Sequence, residues 1–152
     1  MLSGLTVAPH GATLVVAGVL SALAALLHLA IIVGGPAWYR FFGAGEGMAR
    51  LAERGALRPT LITLLIAVVL AIWAAYAFCG AGLMPRLPFL KVGLVVIAII
   101  YLLRGSLIVW MLLFRPRAVT PFWIWSSAIV LIYGAAYAIG AWRVWPALSG
   151  AG

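Results

Sequence analysis

The chain has 152 residues, of which 67% are hydrophobic and 8% are charged, whereas soluble domains are about 25% charged. A soluble fold of about 150 residues buries about 70% of the surface that its unfolded chain exposes, which is too little to hide this much apolar surface. The formal net charge is +8, but the ten basic residues are scattered between apolar runs. They do not form the patch or stripe of a nucleic-acid-binding domain. The composition predicts an integral membrane protein with no nucleic-acid partner.

Four apolar runs are each long enough to cross the roughly 30 Å hydrocarbon core of a membrane as a helix. They occupy residues 13–33, 60–79, 89–114 and 121–142. The Gly-Gly-Pro sequence at 34–36 predicts the end of the first helix, because glycine suits a left-handed cap and proline cannot continue the helix. The residues after 142 are predicted to be a frayed end. The sequence therefore predicts one all-α integral membrane domain, residues 1–152, folded as a bundle of four transmembrane helices.

The loop between the first two spans, residues 34–58, holds both acidic residues of the chain, Glu46 and Glu53. Residues 46–54 predict a short amphipathic helix that lies along the membrane interface. Just before it, Arg40 stands in a Trp-Tyr-Arg-Phe-Phe cluster of the kind found at the level of lipid headgroups. Any carboxylate that the rest of the protein needs would have to come from this loop.

Basic residues near the ends of the spans predict the orientation of the chain. With the N-terminus outside, six basic residues lie on the inner side and three on the outer side: Arg40, Arg50, Arg54, Arg58, Arg115 and Arg117 against Arg86, Lys91 and Arg143. This excess predicts a multi-pass protein of the cell inner membrane with both termini outside the cytoplasm. The preference for arginine over lysine and the abundance of alanine and glycine suggest a bacterial source.

Small residues predict which helix faces touch, because apolar side chains gain nothing by leaving lipid for one another. On the fourth span they recur at helical spacing, at Ser127, Gly134, Ala138 and Ala141. We interpret them as packing faces; the alternative is a ligand groove or a dimer seam.

Arg104 is the main candidate for a functional residue, because its position in the third span is roughly 16 Å from Arg115 at the end of that span. A charge at that depth needs partners. Helix side chains lean toward the N-terminus of their own helix, so we expect Arg104 to stay inside the bundle and not to extend to the nearer surface. There it would bond Tyr101 one turn earlier, backbone carbonyls or a carboxylate.

Glu46 and Glu53 are the candidate carboxylates for Arg104. The alternative is local pairing, of Glu46 with Arg50 and of Arg50 with Glu53, which would leave Arg104 to an external anion such as a lipid phosphate. His28 falls in the same depth range and is a further candidate. A lone histidine in an apolar span is more often bonded to a carbonyl or serine oxygen.

No cofactor or metal is predicted. His10 and His28 would lie about 27 Å apart along one helix, which excludes a haem held by both. The single cysteine, Cys79, forms neither an intrachain disulfide nor part of a Cys/His metal cluster.

The favoured hypothesis is a non-enzymatic accessory or binding protein with an anion site for a lipid headgroup in the inner leaflet. The candidate ligand-binding residues are chosen for their expected depth in the membrane or for their charge. They are Arg104, Tyr101, His28, Glu46, Glu53 and Arg40. Two alternatives stay open, a small dimeric transporter and a membrane-embedded enzyme acting on a lipid. In outline the chain resembles the four-span DoxX-like and small-transporter families, without a motif that carries over a site. Membrane lipids, anionic ones included, are the expected partners, with a homodimer or a larger membrane complex as the expected assemblies.

Overall fold

The structure is a computed structural model that describes residues 11–149. It contains five α-helices, namely α1 (Ala12–Phe41), α2 (Glu46–Glu53), α3 (Leu57–Gly80), α4 (Leu90–Phe114) and α5 (Pro121–Ser149). A short 3-10 turn, Pro116–Ala118, joins α4 to α5, and no strand occurs between residues 11 and 149. All of the helices except α2 are long and apolar enough to cross a membrane. The predicted all-α class with four spans and a short amphipathic helix is therefore confirmed, and the chain is a multi-pass membrane protein.

The chain divides into two compact units, and the division falls within α1 and α3. The first unit contains the described residues up to Leu20 and those from Trp73 onward, and the second unit is Ser21–Ile72. The first unit thus combines the beginning of α1, the end of α3, and all of α4 and α5. The second unit holds the rest of α1, α2 and the beginning of α3.

Glycines bring the helices of the first unit close together. A Cβ atom on Gly105 of α4 would lie 2.5 Å from Leu131 Cγ of α5, and one on Gly134 of α5 would lie 3.0 Å from the backbone nitrogen of Leu102. From the first contact to the second, the residue number falls along α4 and rises along α5. The two helices are therefore antiparallel. Leu14 of α1 is fully buried in the same unit. The predicted use of small residues as packing faces holds for this unit, since side chains larger than hydrogen would force the backbones apart.

Aromatic side chains fill the centre of the first unit. The ring of Tyr101 lies 4.8 Å from that of Trp73, 5.5 Å from that of Tyr133 and 5.6 Å from that of Tyr137, measured between centroids. The Tyr137 hydroxyl donates a 2.8 Å hydrogen bond to the carbonyl oxygen of Trp73. This bond satisfies a polar group that would otherwise be costly in an apolar interior.

The first helix breaks where the sequence predicts its end, but it does not stop there. Gly35 has φ 66° and ψ −151°, which is not helical, and a second helical segment then continues to Phe41. Pro36 opens this segment at a position where its missing N–H costs nothing. The predicted end of the apolar helix at 34–36 is therefore confirmed, and a second short helical segment follows it directly.

Helix α2 folds back onto α1 in the second unit. Ala49 is fully buried and packs in a small core with Ile31 and Tyr39 of α1. Two glycines with positive φ, Gly43 at 70° and Gly45 at 92°, make the reversal between the helices, a conformation that side chains with a Cβ rarely adopt. Because the contact residue is an alanine, α2 lies close to α1.

The last helix extends seven residues beyond the predicted end at 142, to Ser149, so the prediction of a frayed tail is wrong. Pro146 lies inside the helix and removes one backbone hydrogen bond there. Contacts with other helices and connections hold this final part. Arg143 Nη1 donates to Thr13 Oγ1 at 3.0 Å, Arg86 Nη2 donates to the carbonyl oxygen of Ala147 at 3.3 Å, and Lys91 Nζ lies 4.8 Å from the centroid of the Trp145 ring. These contacts come from distant positions in the chain, so the local sequence gave no sign of them.

One thiol is present, and it is covered. Cys79, near the end of α3, is 4% exposed, and its Sγ donates to the carbonyl oxygen of Pro85 at 3.1 Å.

Candidate functional site

Arg104 of α4 rests on an aromatic ring of α5. Its guanidinium carbon lies 4.7 Å from the centroid of the Trp123 ring, within the range of a cation–π contact. Its Nη1 atom is buried without a hydrogen-bond partner in the described part of the first unit. A guanidinium carries five N–H donors, and a buried donor left unsatisfied is costly. The position therefore favours an acceptor group, an anionic one above all.

The Arg104 side chain runs in the direction opposite to the predicted one. Gly105, the next residue, packs against Leu131 of α5, whereas Trp123 lies eight residues earlier in α5. Eight residues span about 12 Å of helix, so the side chain reaches toward the end where α4 finishes and α5 begins. The tilt of the Cα–Cβ bond sets only the direction in which the side chain leaves the helix. Beyond that bond, the attraction of the Trp123 ring determines where the guanidinium lies. The side chain therefore leans toward the nearer end, opposite to the expected direction, while its Nη1 stays buried beside Trp123.

Ser127 is a polar residue that the sequence pattern predicts to be part of a packing face, with a ligand groove or a dimer seam as the alternative. It is fully buried on α5, one turn after Trp123, and its Oγ has no hydrogen-bond partner in the described part of the first unit. Residues four apart share one face of a helix. The sequence therefore contained a signal for Ser127, namely a hydroxyl one turn after an aromatic residue at the start of a span. Ser127 supplies both a donor and an acceptor on the α5 face that carries Trp123.

Two more cations follow at the end of α4. Arg115 and Arg117 line a groove of about 470 Å³, together with Phe114, Pro116 and Ala118. Both arginines are exposed. The groove lies in the connection between α4 and α5, next to the helix turns toward which Arg104 extends.

Tyr101, the predicted hydrogen-bond partner of Arg104, lies one turn earlier on α4 and is 5% exposed. Its ring belongs to the aromatic centre described above. The structure therefore gives Tyr101 a packing role, and its role as a ligand stays a prediction.

The two glutamates form an ionic network with arginines of their own unit. Arg40 Nε donates to Glu46 Oε2 at 2.8 Å, and Arg40 Nη2 donates to Glu46 Oε1 at 3.0 Å and to Glu53 Oε1 at 2.8 Å. Arg50 Nε donates to Glu46 Oε1 at 3.1 Å, which is the predicted local pair. Glu53 pairs with Arg40 and not, as predicted, with Arg50, because the fold of α2 onto α1 brings Arg40 to it. The structure thus joins Arg40, Glu46 and Glu53 into one cluster.

This network changes the acidity of Glu46. The hydrogen bonds from Arg40, and secondly the one from Arg50, lower the pKa of the Glu46 carboxyl from its ordinary 4.5 to about 2. Both arginines favour the ionised form, and their hydrogen bonds outweigh the opposing effect of desolvation. Glu46 therefore stays a carboxylate at every physiological pH.

His28 is satisfied within its own helix. Its Nδ1 lies 2.7 Å from the carbonyl oxygen of Ala24, one turn earlier. Because a carbonyl oxygen can only accept, Nδ1 is the donor in this contact. The more ordinary interpretation of a lone intramembrane histidine fits this contact, and a ligand role for His28 stays a prediction.

Metal-binding side chains do not converge in the described structure. Within residues 11–149 no three His, Cys, Asp or Glu side chains lie close enough to hold a metal ion. His10, the other histidine considered for haem, lies outside the described residues.

Comparison with known proteins gives no family for this chain. No protein-family model, curated protein or solved structure matches it. The function therefore has to be argued from the geometry of these residues alone.

Proposed function

We propose that the protein is a non-enzymatic membrane accessory protein that binds the phosphate of an anionic lipid headgroup at Arg104. One observation carries the proposal: Arg104 Nη1 is buried without a hydrogen-bond partner in the described part of its unit, while the guanidinium lies on Trp123. Trp123 belongs to the first turn of α5, so a headgroup need not enter the middle of the membrane to reach the charge.

The charge content of the first unit supports an anion from outside the chain. Its sequence contains six basic residues and no aspartate or glutamate. The two glutamates of the second unit are bonded to Arg40 and Arg50. Neutralising Arg104 with a ligand therefore requires no rearrangement of these ion pairs.

Phosphate chemistry fits the groups at this end of α4. A guanidinium presents parallel N–H donors that match two phosphate oxygens, and such charge-assisted bonds are stronger than neutral ones. The Ser127 hydroxyl supplies a further donor from α5. Arg115 and Arg117 attract anionic lipids to the same end, since each basic residue near a charged membrane surface contributes about 1 kcal/mol.

The proposal places this site in the cytoplasmic leaflet of an inner membrane. This assignment is supported by the excess of basic residues in the two connections on that side of the predicted topology. The dimeric transporter and the lipid-acting enzyme stay as alternative hypotheses.

Lipid retention measured by native mass spectrometry tests the proposal. The wild-type protein, Arg104→Gln and the charge-matched control Arg54→Gln are transferred from micelles containing phosphatidylglycerol or phosphatidylcholine. We expect Arg104→Gln to weaken phosphatidylglycerol binding about 10- to 100-fold, because hydrogen bonds to charged groups contribute about 1.5–3 kcal/mol and each 1.4 kcal/mol is tenfold. Arg54 is exposed in the second unit, so its variant keeps wild-type binding.

Equal phosphatidylglycerol binding by wild type and Arg104→Gln would refute the proposal, as would an equal loss in both variants. Ser127→Ala serves as a milder probe and is expected to give a smaller loss with an unchanged preference for the anionic lipid. Competition with inorganic phosphate separates a lipid site from a site for free anions. The same spectra report whether the protein is a dimer, which the transporter hypothesis requires.

A further inference from the structure

Three cations lie at the end of α4 that adjoins the start of α5. Arg115 follows α4 directly, and Arg117 lies two residues later, within the 3-10 turn. The Arg104 guanidinium reaches the same end, because it lies on the ring of Trp123, which is two residues, or about 3 Å of helix, from the start of α5 at Pro121. Along the helix axis, the three charges therefore fall within roughly one helical turn of the connection between α4 and α5.

A single phosphodiester is too small a charge for this cluster. It carries one negative charge, so a phosphodiester bound at Arg104 leaves Arg115 and Arg117 as two exposed cations. The sequence of the first unit has no Asp or Glu, and both glutamates of the chain are bonded to arginines of the second unit. The groove of about 470 Å³ that the two exposed arginines line has room for a second phosphate group.

The surface beside the groove suits hydrocarbon chains. Phe114, the last residue of α4, lines the groove and is exposed, as are Leu113 and Trp110 in the preceding turn. The rings of Trp110 and Phe114 pack against each other with 5.6 Å between centroids. Because these apolar side chains are exposed on a membrane-spanning helix, they face lipid chains. A ligand that matches both parts carries phosphates at the connection and hydrocarbon along the last turns of α4.

We infer that the protein prefers a lipid with two phosphodiesters, one bound at Arg104 and the other at Arg115 and Arg117. The inference rests on the proposed function, since it takes the Arg104 site as the first of the two phosphate positions. Two phosphates on one short bridge assist each other, because binding of the first holds the second at a high effective concentration. Basic pockets between membrane-spanning helices are suited to headgroups with more than one phosphate for the same reason.

Competition between cardiolipin, which has two phosphodiesters, and phosphatidylglycerol, which has one, tests the inference by native mass spectrometry. We expect the wild type to retain one cardiolipin molecule and to bind it about 10- to 30-fold more tightly than phosphatidylglycerol, because two further basic residues contact the ligand. In the double variant Arg115→Gln/Arg117→Gln this preference should disappear, and either single variant should show an intermediate preference. The control Arg54→Gln/Arg58→Gln removes the same charge from exposed positions of the second unit and should keep the wild-type preference.

An undiminished preference for cardiolipin in the Arg115→Gln/Arg117→Gln protein would overturn the inference, as would equal affinities of the wild type for the two lipids. Two cardiolipin molecules retained by the wild type would indicate separate sites and would also overturn it. In each of these cases a loss of phosphatidylglycerol binding in Arg104→Gln still supports the proposed function, whereas unchanged binding of both lipids in Arg104→Gln refutes the proposed function and the inference together.

The source of the phosphate groups is tested in the same experiment. Displacement of cardiolipin by inorganic pyrophosphate would identify a site for soluble anions and overturn the inference, because a lipid is also held by its hydrocarbon chains. Thermal unfolding of Arg115→Gln/Arg117→Gln in lipid-free micelles is expected to match wild type, since both side chains are exposed. This match shows that a lost preference comes from the ligand contacts and not from misfolding.

Discussion

The two compact units of this chain differ in how their charged side chains are paired. In the second unit Arg40 and Arg50 bind both of the acidic residues in the chain through three short ion pairs. The sequence of the first unit contains six basic residues and no Asp or Glu. Among its described contacts, Arg104 lies on a ring, and Arg86 and Arg143 donate to uncharged oxygens. Both carboxylates of the second unit are thus paired within it and hold a loop. In the first unit, by contrast, Arg104 has a buried donor without a hydrogen-bond partner in the described part of that unit.

The largest expected effect on stability comes from adding a methyl group at a glycine. The space beside Gly134 of the first unit is filled, whereas the space beside Gly47 of the second unit is empty. Gly134→Ala places a Cβ atom 3.0 Å from the backbone nitrogen of Leu102. We expect it to lower the free energy of unfolding in micelles by about 1–3 kcal/mol. The matched control is Gly47→Ala in α2, where nothing lies within 4 Å of the new atom.

Gly47→Ala is expected to raise the free energy of unfolding by about 0.5–1 kcal/mol, because alanine loses less conformational freedom than glycine in a helix. Effects of the same sign at the two glycines would contradict the packing described for the first unit.

The same substitution at two buried tyrosines should give opposite results in the two units. Tyr137→Phe removes the 2.8 Å bond to the Trp73 carbonyl oxygen and should lower the free energy of unfolding by about 0.5–1.5 kcal/mol. Tyr39 of the second unit has a buried hydroxyl without a hydrogen-bond partner in the described part of that unit. Tyr39→Phe should therefore raise stability by about 1 kcal/mol, because it removes a desolvated polar group. Denaturant unfolding of both variants measures these changes. A lower free energy of unfolding for Tyr39→Phe would show that the Tyr39 hydroxyl is hydrogen-bonded.

Removing the central arginine of the network should release α2 locally. Arg40→Gln breaks three of the four hydrogen bonds that hold Glu46 and Glu53. We expect faster amide hydrogen exchange confined to residues 46–53, without a change in α4 or α5. Arg50→Gln breaks only the 3.1 Å bond and should have the smaller effect. Unchanged exchange in Arg40→Gln would show that packing of Ala49 alone holds the helix.

The smallest expected effect is a pH dependence found in only one unit. Since the pKa of Glu46 is about 2 in the fold and 4.5 ordinarily, its contribution is complete above pH 4.5 and is lost as pH falls toward 2. Hydrogen exchange in α2 should therefore accelerate over this interval, after correction for the intrinsic rate. Exchange in α4 should not, because the first unit has no Asp or Glu. Glu46→Gln should abolish this pH dependence of hydrogen exchange. If the dependence persists in that variant, Glu53 and not Glu46 is its cause.

The sequence was sufficient for features that depend on composition and local pattern. Length and hydropathy predict the four spans, and α2 at Glu46–Glu53 matches the amphipathic stretch expected at 46–54. The pair of Glu46 with Arg50 follows from their spacing of four residues on one helix.

Features that depend on distant contacts were missed. The bond from Arg40 to Glu53 joins residues thirteen apart and needs the reversal at Gly43 and Gly45. The direction of the Arg104 side chain is set by Trp123 on another helix. The helical end at Ser149 depends on the Arg86 contact with Ala147, 61 residues away in the chain. Periodicity contains none of this information, because it describes one helix at a time.

The covered position of Cys79 makes the protein a convenient target for site-specific labelling. Because Cys79 is 4% exposed and its sulfur donates to the Pro85 carbonyl oxygen, the native thiol should react slowly with maleimides. Cysteines introduced at exposed positions such as Arg54 or Arg117 would then carry a fluorophore or spin label as single sites in an otherwise wild-type background. Distances and quenching measured from such labels would map the connections before α3 and before α5 without first removing the natural residue.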